Sequence, residues 1–237
     1  MTYVIYNKCN AAAYTMWENE VDYSFWMGYG EPEKAIEEQP EYIYIPAMGE
    51  WPKRWAKVLP KLNRVKLLWA KGRANQNLFD AICTLTTLER LAIDVVSAHN
   101  VENLKCLTNL THLSLGHGSK IESLESISYL KKLRGLTICN FPKINNVEFI
   151  EALSGNLKYL SLIGGDYKKQ VFDELKPLLT LHSLEELHFG NVKSLEKLDI
   201  TSRDLPNLKL VNIGRAQVFT ESTKQYLSSS DVQFVKS

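Results

Sequence analysis

Histidine and cysteine are the side chains best suited to nucleophilic, acid–base or metal chemistry, and the chain has five of the first and four of the second. A nucleophilic Cys139 needs a base, for which His112 and His117 are the candidates. His188 lies far from both in sequence, and no acid or thiol stands at ligand spacing from these histidines, so no metal site is expected. Cys9, Cys83, Cys106 and Cys139 are widely separated and form no CxxC pair. Four reduced cysteines in a cytoplasmic protein are the expectation. Phosphate-loop, dinucleotide, HExxH and GxSxG motifs are absent, and Gly28-Tyr29-Gly30 is too short to substitute for one. The expectation is a protein without cofactor, metal or catalytic residue.

Recognition chemistry is better represented. From Glu18 to Glu41 eight acids face a single base, Lys34. From Trp51 to Arg73 there are eight bases and no acid. These blocks either screen each other or offer a bipolar surface to a charged partner. The whole chain of 237 residues has a formal charge of +1 and 45% apolar residues, which excludes a strongly basic nucleic-acid protein and gives enough material for a core. No apolar run is long enough for a membrane helix and no signal peptide is visible, so no membrane partner is expected.

The elements that position these groups follow from leucine. There is none in the first 58 residues and there are 33 in the rest, whereas 12 of the 24 aromatic residues precede position 60. An apolar triplet spaced L-x-x-L-x-L recurs as Leu62/Val65/Leu67, Leu88/Leu91/Ile93, Leu110/Leu113/Leu115, Leu133/Leu136/Ile138, Leu157/Leu160/Leu162, Leu184/Leu187/Phe189 and Leu208/Val211/Ile213. The starts are 26, 22, 23, 24, 27 and 24 residues apart. Two apolar residues separated by one point to the same side of a strand. One coil cannot bury such a face alone, but stacked coils bury it against each other. Return segments such as Val101/Leu104/Leu107 and Ile121/Leu124/Ile127/Leu130 have a spacing of three, which predicts 3-10 or helical turns. Helices are predicted over 77–85 and over 168–179 up to Pro177.

On these triplets the chain resembles the leucine-rich-repeat superfamily, short cytosolic type, over about residues 59–215. The resemblance implies an α/β solenoid: a parallel sheet on the concave face, helical or 3-10 returns on the convex face, and an aromatic-rich N-terminal cap. Residues 1–58 are expected to form that cap, 59–215 the solenoid and 216–237 the C-terminal cap. Tyr42–Ile45 is predicted to add a strand one coil earlier, with Ile43 and Ile45 inward. Trp51–Leu62 is its predicted return helix, and residues 1–40 receive no assignment. The asparagine or cysteine that many members carry three residues after the triplet is missing, since Ala70, Val96, Gly118, Phe141, Gly165, Val192 and Ala216 stand there.

Outward strand positions make up the expected binding face. They supply Arg64, Arg90, His112, Tyr159 and Glu186 in one column and Lys66 and His188 in the next, with Tyr42, Tyr44 and Trp69 beside the basic end. Aromatic residues and arginine dominate interface hot spots, so these ten residues are the expected partner contacts. The resemblance implies a non-enzymatic protein-binding module. Its likeness to small bacterial leucine-rich-repeat proteins implies an inhibitor or immunity-type role against a toxin or effector. A nucleic-acid adaptor using the 51–73 strip, or an enzyme using the unassigned N-terminal segment, are the alternatives.

Overall fold

The structure, a computed structural model, describes residues 26–27, 32–46, 49–201 and 203–236. Most of the segment left without assignment, residues 1–25 and 28–31, lies outside the described residues. Among the described residues ten parallel strands form one sheet. In order they are β1 (Trp26–Met27), β2 (Tyr42–Ile45), β3 (Leu67–Ala74), β4 (Arg90–Val96), β5 (His112–Gly116), β6 (Gly135–Cys139), β7 (Tyr159–Ile163), β9 (Glu186–Gly190), β11 (Leu210–Gly214) and β13 (Gln233–Lys236). A second sheet of three short parallel strands places β10 (Val192–Leu198) between β8 (Gln170–Phe172) and β12 (Gln217–Phe219). Among the described residues the α-helices are α1 (Ala35–Glu38), α2 (Trp51–Val58), α3 (Gln76–Ile82) and α4 (Glu221–Ser229).

The register explains the core. Ile43, Leu68, Leu91, Leu113, Leu136, Leu160, Leu187 and Val211 are side by side in neighbouring strands, and all are buried. Two residues on, Ile45, Ala70, Ile93, Leu115, Ile138, Leu162 and Phe189 repeat the arrangement. The first coil is thereby shifted from its expected alignment. Leu68 pairs with Leu91 and Ala70 with Ile93, so the first triplet is Val65/Leu68/Ala70 and not Leu62/Val65/Leu67. Its start lies 23 residues before Leu88, which removes the longer 26-residue interval. Leu62 instead closes the α2 return, where it is buried with Trp55, Val58 and Leu59.

The returns follow from their spacing of three. Leu104 N–H donates to Val101 O, Leu107 N–H to Leu104 O and Leu110 N–H to Leu107 O, so each bond joins one buried residue to the next. The same chain recurs at Leu124/Ile127/Leu130/Leu133 and Leu175/Leu178/Leu181/Leu184. The expected helix over 168–179 is replaced by strand β8 and a 3-10 turn at Lys176–Thr180. Gln170, Val171 and Phe172 alternate inward, outward and inward, and their pairing with Val192, Lys193 and Ser194 overrides the helical spacing.

Two devices satisfy the backbone between coils, the second of them at three coils only. The carbonyl before each strand, for example Lys66 O, accepts from two successive N–H groups of the next coil, Glu89 and Arg90. An asparagine ladder does exist, but one residue before the triplet. Asn109 Nδ2 donates to Thr86 O at 2.9 Å, Asn156 to Lys131 O at 2.8 Å and Asn207 to His182 O at 2.8 Å. At the opposite bend His117, Asn140, Asn191 and Arg215 adopt left-handed backbone with φ of 49–58°, and their coils interlock through bonds such as His117 N–H to Cys139 O. At the C-terminal end Thr220 caps α4, its hydroxyl accepting from Thr223 N–H at 3.1 Å.

Candidate interaction face

The face opposite the core consists of two columns. Tyr42, Leu67, Arg90, His112, Gly135, Tyr159, Glu186 and Leu210 form the first; Tyr44, Trp69, Ala92, Ser114, Thr137, Ser161, His188 and Asn212 form the second. Eight of the ten expected contact residues stand here. Arg64 and Lys66 do not: the shifted register puts Leu67 and Trp69 where they were expected. Both precede β3 and stand on the flank of the solenoid, at the entrance to the strands.

At the N-terminal end of the face the aromatic residues are fixed against one another. The Tyr44 and Trp69 rings meet edge to face with centroids 5.5 Å apart. Trp69 Nε1–H donates to Asp94 Oδ1 at 2.9 Å. Leu67 and Ala92 form a small apolar cluster of their own, against which Tyr42 and Trp69 pack. Asp94 lies two residues beyond Ala92 on β4, so its bond to Trp69 joins neighbouring strands. Further along, Thr137 and Ser161 are wholly buried and Ser114 and Cys139 nearly so, whereas His112 and Tyr159 in the first column are half-exposed. Beyond it, Glu186 and His188 are half-exposed, with His188 Nε2 3.3 Å from Glu186 Oε2.

On the flank, Arg64 and Lys66 both reach Glu41, at 3.6 and 3.2 Å. With Thr87, Glu89, Asn109, Thr111 and Lys132 these three residues line an open trough of about 560 Å³. Arg54 pairs with Glu33 and lies over the Trp51 ring. The acidic and basic blocks therefore meet at these points. Farther down the same flank Glu185 sits between Lys158, at 2.6 Å, and Lys209, at 2.5 Å. Hydrogen bonds from Lys158 and then Lys209 hold the Glu185 carboxyl down at about 2.

No described residues form a metal-binding group of three or more His, Cys, Asp or Glu side chains. Cys83 and Cys106 have free thiols, and burial pushes the Cys83 thiol far up. No described helix is long and apolar enough to cross a membrane.

No family model and no curated protein sequence matches the chain. Solved structures do. Internalin C2 of Listeria monocytogenes has a TM-score of 0.53 at 20% identity, covering 76% of this chain and 74% of its own. A leucine-rich-repeat protein of Leptospira interrogans has a TM-score of 0.57 at 18% identity, covering 86% and 56%. TLR13, solved in complex with ssRNA13, has a TM-score of 0.56 at 17% identity, covering 82% of this chain and 29% of its own. With the triplets, the parallel ladder and the 3-10 returns, these likenesses define the fold: the chain is a leucine-rich-repeat solenoid.

Proposed function

We propose that the protein is a non-enzymatic interaction module that holds a partner protein at the N-terminal end of its concave face and the adjoining flank. The observation that carries this reading is the braced cluster of Tyr42, Tyr44 and Trp69, with Trp69 held by Asp94. Rigid, half-buried aromatic rings lose little freedom on binding, which suits them to anchor a protein interface. Arg90, His112 and Tyr159 continue the surface from it, and Glu186 and His188 offer a second polar contact further along. Arg64 and Lys66 act as rim charges through the trough they share with Glu41. Within this class we favour an inhibitor or immunity-type role, with a toxin or effector as partner. The pairing of Arg54, Arg64 and Lys66 with Glu33 and Glu41 supports protein over nucleic acid as the ligand, because it ties three of the eight bases in the strip to carboxylates.

The test is affinity capture from native lysate, followed by measurement with the purified partner. A one-to-one protein complex is expected, weakened at least tenfold by Trp69→Ala with an unchanged circular dichroism spectrum. A complex indifferent to Trp69→Ala, Tyr44→Ala and Arg90→Glu would refute the assignment.

A further inference from the structure

Independently of the concave face, we propose that the outer face of the small sheet β8–β10–β12, with the loop leading into it, is a docking surface for an anionic lipid bilayer. Four large apolar side chains among the described residues are exposed, and three of them belong to this region: Tyr167, Val171 and Leu195. Tyr167 is fully exposed in the Gly164-Gly165-Asp166-Tyr167-Lys168-Lys169 loop that enters β8. Val171 is the outward residue of β8 and stands beside Lys193 on β10, which stands beside Gln217 on β12. Lys197 reaches over the same face and donates to Gln217 O. Exposed apolar side chains and lysines therefore stand together on β8, on β10 and in the loop before β8.

The charge is uncompensated. Lys168, Lys169, Lys193 and Lys197 enter no ion pair among the described residues. The nearby carboxylates are engaged elsewhere: Glu196 with Lys176, Glu221 with Lys224, and Asp199 with the hydroxyls of Thr220, Ser222 and Thr223. Asp166 is the one acid within the loop. Partial burial, and then the fields of Lys193, Lys224 and Lys169, hold the Lys197 ammonium below its usual range.

A bilayer fits this surface better than a peptide or a nucleic acid strand. The trough lies on the flank, and the small apolar cavity around Phe141 and Phe172 lies on the inner side of β8, away from its outward residue Val171. A peptide added as a strand at the edge of β8 or β12 would leave the outward Tyr167, Val171 and Leu195 unused, whereas a lipid surface needs only protruding apolar groups ringed by cations. Tyrosine at a projecting tip suits the headgroup level. Lysine attracts anionic headgroups as a point charge without demanding a fixed geometry.

Sedimentation with vesicles of phosphatidylcholine mixed with phosphatidylserine, against vesicles of phosphatidylcholine alone, tests the proposal on the full chain. Binding to the anionic vesicles alone, weakened by salt, is expected. Lys169→Gln combined with Lys193→Gln is expected to weaken it about thirtyfold. Leu195→Ser, at an exposed position that leaves the core untouched, is expected to weaken it about tenfold. Equal or absent binding to the two vesicle types overturns the proposal. So does binding that both variants leave unchanged, or retention of single-stranded RNA through the same lysines without vesicle binding.

Discussion

Leu67 and Leu68 are adjacent leucines, both buried, yet the register assigns them opposite faces of the sheet. Leu68 is wholly buried in the main core, in line with Ile43 and Leu91 on either side. Leu68→Ala removes three carbons, about 2.4 kcal/mol at about 0.8 kcal/mol per methylene. Both neighbours are held in a hydrogen-bonded ladder and cannot collapse inward, so a cavity term adds to it and the total is about 3–4 kcal/mol. Leu67 faces the other way and belongs to the small cluster with Ala92, Tyr42 and Trp69. Those rings lie near the surface and can close over a truncated side chain, so Leu67→Ala costs about 1–2 kcal/mol. Urea unfolding followed by circular dichroism measures both, with the slope m checked for constancy. A Leu67→Ala cost equal to or above that of Leu68→Ala would refute the register, and with it the placement of Trp69 on the concave face.

The remaining predictions concern the flank, the bends and the cysteines. Glu185 is held low by its two lysines, so its stabilisation is complete above the unfolded carboxyl's pKa of about 4.3 and is lost as pH falls toward 2. Thermal unfolding between pH 5 and pH 2 should therefore fall less steeply in Glu185→Gln than in the natural chain. Arg215→Gly, at φ 53°, should relieve left-handed strain and raise stability by about 0.5–1 kcal/mol in urea unfolding; a loss would contradict the strained bend. A methyl group at Gly118 would lie 2.1 Å from a Phe141 ring carbon, so Gly118→Ala should cost about 1–3 kcal/mol by the same assay. A thiol reagent added to the folded protein should modify the exposed Cys106 before the buried Cys83, as peptide mapping by mass spectrometry checks.

The repeat was legible because apolar spacing carries it directly: six of the seven triplets fall where Leu88 to Ile213 predict. The first was displaced because Leu62 and Leu67 mimic the pattern, while the true third position is the small Ala70. That displacement carried Arg64 and Lys66 onto the wrong face. Lys168–Leu179 has helical spacing, whereas strand β8 forms through its pairing with β10 in the next coil, which local spacing does not show. The asparagine ladder was overlooked for a simpler reason. Asn109-Leu110, Asn156-Leu157 and Asn207-Leu208 repeat in plain view, but on the other side of the triplet from the family's usual position. Side-chain contacts such as Trp69 with Asp94 join successive coils, and only a fixed register brings them together.

The most direct test of the stacked coil is nuclear Overhauser contact between methyl groups in protein labelled at leucine, valine and isoleucine. An unbroken series from Ile43 through Leu68, Leu91, Leu113, Leu136, Leu160 and Leu187 to Val211 is the expected result. A series that breaks between successive strands, or that runs through Leu67 in place of Leu68, would contradict it.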